Sequence, residues 1–197
     1  MSPFTFNTTP QIVARPGACA QMAEIAGGRL GERVLFVTDR GIRNVGLERA
    51  AAAALETAGH TVTFFDEVEA DPSLATLEKA IAIAREIDAT GVIALGGGSS
   101  LDVAKLTALI AGSCEDIDEA WGVGNAKGPR LPLVLAPTTA GTGSEVTPVS
   151  IITVGGDEKR GVSSPLILPD IAVLDAELTL TLPAPITAAT GIDAMVH

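Results

Sequence analysis

Residues 91–111 read Gly-Val-Ile-Ala-Leu, then Gly96-Gly97-Gly98-Ser99-Ser100, then Leu101-Asp102-Val103-Ala104-Lys105-Leu-Thr-Ala-Leu-Ile-Ala. The first five residues carry no polar side chain, which is the signature of a strand buried on both faces of a parallel sheet. Leu101 to Ala111 has the length and composition of a helix, with Ser99 or Ser100 as its N-cap and Asp102 in its first turn. A glycine triplet between such a strand and helix lets backbone come close to a ligand. The helix N-terminus aims N–H groups and partial positive charge at an anion there, so a phosphate fits. The stretch is neither a Walker A loop nor the usual dinucleotide fingerprint, because Lys105 follows no glycine and Leu101 stands where the third fingerprint glycine belongs.

Working outward, Val34 to Thr38 is a second apolar strand, broken at Arg40-Gly41, and Leu47 to Ala58 is an alanine-rich helix closed by Gly59. Thr61 to Phe65 is a strand. Asp71-Pro72 then turns into a helix over residues 73–88, with Leu74, Leu77, Ile81 and Ala84 at helical spacing. Leu131 to Ala136 forms a strand after the glycine-turn helix. Strands alternating with helices predict a doubly wound, Rossmann-like α/β fold with a parallel sheet and right-handed crossovers. Beyond Val146 the pattern changes to an added β-hairpin, Val149 to Val154 and Arg160 to Ser163, turned by Gly155-Gly156-Asp157, and Ile171 to Leu174 is a last short strand. Pro183 and Pro185 introduce a helix that reaches His197 without a stop signal, so the sequence predicts a chain ending inside a helix whose apolar face near Ile192 and Val196 favours association.

Composition bounds the function. The chain has 197 residues, 47% of them hydrophobic and 3% aromatic, so the core is aliphatic. A formal charge of −11 opposes nucleic acid and anionic membranes as partners. Cys19 and Cys114 match no metal spacing and suit reduced thiols in a cytoplasmic protein; no secretory leader or membrane-spanning run is legible.

Asp39, at the carboxyl end of the first long strand, can accept hydrogen bonds from a ribose diol and would repel a 2′-phosphate, which favours NAD over NADP. Pro137 is followed by Thr138, Thr139, Thr142 and Ser144 in one loop at the sheet edge; such a loop either covers a pyrophosphate or nicotinamide or simply caps its own backbone. Asp193 and His197 are four apart on a helix, within reach of one divalent ion such as Fe²⁺ or Zn²⁺, although an i, i+4 surface pair has the same spacing.

Three ordered motifs carry a resemblance: Gly96 to Ser99 with Asp102 and Lys105; Pro137-Thr138-Thr139-Ala140-Gly141-Thr142-Gly143-Ser144-Glu145-Val146-Thr147; and Gly191-Ile192-Asp193-Ala194-Met195-Val196-His197. Together they resemble the iron-containing (metal-dependent, group III) alcohol dehydrogenases. Pro16-Gly17-Ala18 ahead of a helix and Leu166 to Asp175 extend the resemblance to that family's N-terminal half.

The resemblance implies a dinucleotide-binding α/β domain over residues 1–182. Residues 183–197 would start the first helix of an all-helical, metal-binding domain otherwise absent from the chain. It implies cofactor contacts from Asp39, Gly97, Gly98, Ser99, Asp102, Thr138, Thr139 and Thr142, and from Lys159 in the hairpin, with Asp71 standing where many members have Asn. Asp193 and His197 match the first two metal ligands. The activity implied is hydride transfer between an alcohol or aldehyde and NAD with a divalent metal. The fragment alone would be poorly active, and a homo-oligomer is a further implication. The alternatives are a non-catalytic nucleotide-binding module and an enzyme like glycerol dehydrogenase or dehydroquinate synthase; the loop from Gly141 to Glu145 leans towards the alcohol dehydrogenase branch.

Overall fold

The computed structural model describes residues 5–156 and 158–196. Nine strands and seven helices are assigned among them: β1 (Gln11–Ala14), α1 (Met22–Ala26), β2 (Arg33–Val37), α2 (Arg40–Val45), α3 (Arg49–Thr57), β3 (Thr61–Phe65), α4 (Leu74–Glu86), β4 (Gly91–Gly96), α5 (Gly98–Ser113), α6 (Ile117–Ala120), β5 (Gly122–Val123), β6 (Leu133–Pro137), β7 (Val149–Thr153), β8 (Lys159–Ser163), β9 (Ile171–Leu174) and α7 (Ala184–Val196).

Six strands form one sheet in the order β1-β9-β6-β4-β2-β3, and every neighbouring pair is parallel. The continuous apolar runs in β2, β4 and β6 follow from burial on both faces, with alternate residues entering different cores. Leu35, Val37, Val92, Ala94, Leu133 and Leu135 pack on one face with α4 and α5. Val34, Phe36, Ile93, Leu95, Val134 and Ala136 pack on the other with α1 and α3. The adjacent strands β2 and β4 therefore send α3 and α5 to opposite faces. A crevice opens at their carboxyl ends, where doubly wound sheets place ligands.

The predicted hairpin is present: β7 and β8 pair antiparallel, and β5 joins β8 to make a second, three-stranded sheet. Residue 157 of its turn lies outside the described residues.

Four details correct the sequence reading. The first α/β connection holds an extra helix, α2. Asp39 is its N-cap, accepting a hydrogen bond from Ile42 N at 3.0 Å, and Gly46 closes it at φ 75°. An Asp and a Gly seven residues apart are the ordinary start and stop signals, obscured here by Gly41 inside the turn. The helix expected from Leu47 begins only at Arg49. Strand β1 was unforeseen, because its four residues alternate between partly exposed and exposed and owe their conformation to pairing with β9. Helix α5 begins at Gly98 with Gly97 as N-cap, so Ser99 and Ser100 sit inside its first turn and Asp102 beyond it.

At the start of the chain a 3-10 turn, Ala18–Gln21, leads into α1. The buried Asp175 carboxylate accepts hydrogen bonds from Gly17 N, Cys19 N and Glu177 N, joining the end of β9 to the turn after β1. Burial and the neighbouring Asp175 push the Cys19 thiol up to about 12, which makes it an inert core group. Among the described residues no helix is long and apolar enough to cross a membrane.

Candidate nucleotide-binding cleft

The crevice is a cleft of about 570 Å³, within the ordinary range of small-molecule sites. Its floor is the glycine turn, with Gly97, Ser99 and Ser100 facing the opening. None of Gly96, Gly97 and Gly98 has a positive φ, so these glycines are required for space rather than for conformation. A methyl group on Gly98 would come within 2.9 Å of Thr142 Cγ2, and one on Gly96 within 2.6 Å of Ser100 Oγ. A methyl on Gly97 would touch nothing closer than Thr139 Cγ2 at 3.8 Å, and Gly97 and Thr139 both line the cleft. The first N–H groups of α5 have no partner within the helix and are aimed at this floor.

One wall is α2 with the end of β2. Asp39 lines it, one carboxylate oxygen capping α2 and the other near the start of α5, 3.6 Å from where a Gly96 methyl would stand. Glu69, also on the rim, accepts hydrogen bonds from Ser73 N and Thr76 Oγ1. Burial raises its pKa, but those bonds outweigh burial and the net shift is downward. Ile42, Val45 and Leu47 line an apolar part of the cleft together with Leu178, Leu182 and Ile186, and Thr138 and Thr139 contribute to the same lining.

Behind Thr138 and Thr139 the loop is held by a buried cluster. Lys105, fully buried on α5, donates to Ser144 Oγ at 2.8 Å, Thr147 O at 3.0 Å and Val149 O at 2.8 Å. Asp102 accepts from Ser144 Oγ at 2.6 Å and from Ile151 N at 3.0 Å, and lies 3.8 Å from the Lys105 ammonium. Burial drives both groups towards neutrality: the Asp102 carboxyl is raised, and the Lys105 ammonium is pushed down to about 8 against the pull of Asp102 and Glu145. Asp102 is therefore occupied with the loop and the hairpin, and it is not among the cleft-lining residues.

Lys159 lies on β8 and pairs with Asp71, a residue held at φ 52° in the turn before α4. Both side chains are exposed, so the pair itself contributes little to stability. The hairpin is docked there by Thr153 N, which donates to Pro72 O at 2.9 Å. Asp193 is half-buried on α7, and α7 reaches the loop where Thr190 crowds Gly141. His197 lies outside the described residues.

The family model for iron-containing alcohol dehydrogenase matches residues 9–176. The chain belongs to that family. Among its relatives, the sulfoacetaldehyde reductase of Bilophila wadsworthia is 35% identical over 98% of the chain and 50% of its own length. The long-chain-alcohol dehydrogenase 1 of Geobacillus thermodenitrificans is 40% identical over 86% of the chain and 44% of its own length. In solved structures, the alcohol dehydrogenase from Oenococcus oeni superposes with a TM-score of 0.93 at 30% identity, covering 98% of this chain and 51% of that one. The sulfoacetaldehyde reductase from Bifidobacterium kashiwanohense, in complex with NAD⁺, gives 0.86 at 31% identity with the same coverages. The chain spans about half the length of the curated relatives it matches.

The fold thus brings Asp39, Gly97, Ser99, Thr138 and Thr139 around one cleft, with Gly98 and Thr142 packed together beside it. The apolar slot, with Ile42, Val45, Leu178, Leu182 and Ile186, was missed by sequence reasoning, because its lining residues lie at opposite ends of the chain and nothing local pairs them. A metal would find Asp193 and, by sequence, His197. A carboxylate and an imidazole suit Fe²⁺ or Zn²⁺, but among the described residues no group of three or more His, Cys, Asp or Glu side chains could hold an ion. Two donors do not fit a firmly bound metal.

Proposed function

We propose that this chain binds NAD in the switch-point cleft and supplies the dinucleotide-binding half of an oxidoreductase that interconverts alcohols and aldehydes. The observation that carries the reading is the β4–α5 glycine turn, whose backbone N–H groups open into the same cleft as the Asp39 carboxylate. The pyrophosphate would lie on Gly97, Gly98 and Ser99, where helix N–H groups and the helix dipole meet negative charge. Asp39 would accept from the adenosine ribose. The adenine would fill the slot between Ile42, Val45, Leu178, Leu182 and Ile186. Thr138, Thr139 and Thr142 would cover the pyrophosphate and the nicotinamide half, with Asp102 acting behind them and Lys159 reaching over from the hairpin. Asp39 and Glu69 put carboxylates at the ribose end, which opposes the extra phosphate of NADP, whereas Asp66 and Glu67 in the adjoining groove are neutralised by Arg43 and Lys79.

Residues 1–182 would form the dinucleotide domain and residues 183–197 begin a metal-binding helical domain; none of the residues described in α7 is buried, which supports that division. Asp193 and His197 would be this chain's share of the metal site, with Fe²⁺ or Zn²⁺ completed by donors from elsewhere. Bound NAD would supply hydride-transfer chemistry, and this chain's part would be to hold and orient it through the glycine turn, Asp39 and the Thr138–Thr142 loop. Relatives named for sulfoacetaldehyde and for long-chain alcohols support a small alcohol or aldehyde substrate as a class. Cys19 and Cys114, both free, suit a reducing compartment such as the cytoplasm.

Isothermal titration with NAD and NADP, each with and without Fe²⁺ or Zn²⁺, tests the reading. Micromolar binding of NAD and weaker binding of NADP is the expected result, and a metal effect would implicate Asp193 and His197. Absence of binding by either nucleotide would overturn it.

A further inference from the structure

We infer that Lys105 is a positioning residue for the cofactor: it sets the Thr138–Val149 loop over the nicotinamide side of the cleft while touching no ligand itself. The inference rests on the NAD reading above, and its geometry comes from the buried cluster.

An ammonium has three N–H donors, and all three of Lys105 are used, on Ser144 Oγ, Thr147 O and Val149 O. Ser144 has one hydroxyl proton, which goes to Asp102, so Lys105 must be the donor in the Lys105–Ser144 bond. The cluster is thus satisfied in one arrangement only, with a positive lysine, a negative aspartate and the serine relayed between them. A buried charge with one partner removed is costly, so the loop cannot drift from α5 without leaving the lysine unpaired.

Between β6 and β7 the loop is held at its ends by Thr138 N donating to Gly96 O and Ser164 N donating to Pro148 O, both at 2.9 Å. Its middle is held by a 3-10 turn at Ser144–Val146, by Thr9 Oγ1 donating to Glu145 O at 2.8 Å and Thr8 Oγ1 to Val146 O at 3.4 Å, and by the Lys105 cluster, which supplies the buried, charge-assisted bonds. Thr142 Oγ1 accepts from Ser144 N at 3.2 Å, and Thr142 packs against Gly98. The chain of contact therefore runs Lys105 to Ser144 to Thr142 to the phosphate floor. The Asp39 and apolar-slot end of the cleft is built by α2 and Leu178 to Ile186, which Lys105 does not touch.

That division separates two probes. AMP would use Asp39 and the slot, whereas NAD also needs the covered pyrophosphate and nicotinamide side. Lys105→Met keeps the side-chain length and removes the donors; Ser144→Ala removes only the relay. Both should weaken NAD, Lys105→Met by at least about tenfold and Ser144→Ala by roughly threefold, with AMP affinity within about twofold of the unsubstituted chain. Hydrogen exchange without nucleotide should quicken in residues 139–147 of both variants and stay unchanged in β2 and β4.

If Lys105→Met is too unstable to bind anything, Ser144→Ala decides. Equal losses of AMP and NAD in Ser144→Ala, or no loss of NAD in either folded variant, would overturn the inference. Unchanged exchange in the loop would do the same. Failure of the unsubstituted chain to bind NAD would instead strike the functional reading.

Discussion

Gly97 and Asp39 give the sharpest tests at the scale of single residues. Gly97 has φ −73° and ψ 179°, which alanine adopts without strain, and an added methyl meets no protein atom closer than 3.8 Å. Gly97→Ala should therefore leave the melting temperature within about 2 °C while weakening NAD by at least about tenfold, because the methyl occupies the approach to the phosphate. Retained NAD affinity by calorimetry would mean that the glycine turn is only a packing device. Asp39 has two roles, and asparagine separates them. Asparagine caps helices as well as aspartate, so Asp39→Asn should keep stability within about 0.5 kcal/mol. Loss of the carboxylate should shrink the preference for NAD over NADP by at least about tenfold, read as a ratio of dissociation constants. An unchanged ratio would leave Asp39 as a cap alone.

At the scale of elements, α5 carries both the glycine-turn floor of the cleft and the buried lysine, and the lysine makes the stability of the chain depend on pH. Burial depresses the Lys105 pKa to about 8 from an ordinary 10.5. Between those values the unfolded chain holds a proton that the folded chain has released, so this group makes stability rise with pH from about 8 upwards and lowers it as pH falls through 8. Urea unfolding should show that rise in the unsubstituted chain and a flatter profile in Lys105→Met over the same range; identical slopes would contradict the assignment. The strands β2, β4 and β6 were legible because a buried parallel strand cannot avoid an unbroken apolar run. β1 was not, since a short edge strand takes its conformation from β9. The start of α5 was misplaced because Ser99 and Ser100 are good caps by type, but the cleft needs the helix to begin at the glycines so that its N–H groups reach the floor.

At the scale of the whole molecule, several large apolar side chains are exposed, and four of them gather towards one end of the chain. Leu180, Ile192, Met195 and Val196 are between 63% and 85% exposed at the carboxyl-terminal end. Apolar surface of that kind should bind a hydrophobic dye and promote self-association. Replacing Ile192 and Met195 together with Glu should lower both, as read by dye fluorescence and light scattering, with little change in melting temperature because neither side chain is packed. A large loss of stability would show that α7 is packed more firmly than its exposure indicates.

The sequence by itself determined the parallel α/β architecture, the hairpin, the glycine turn between a buried strand and a helix, and the family, because each is written in local periodicity or in a contiguous motif. Tertiary structure alone decided that Ile42 and Val45 line one cleft with Leu178, Leu182 and Ile186, and that Lys105 spends its three donors on a loop some forty residues further along the chain. The reason is physical: backbone conformation follows from neighbours in the chain, whereas a binding wall and the partner of a buried charge are fixed only when distant segments are brought against each other by a common core.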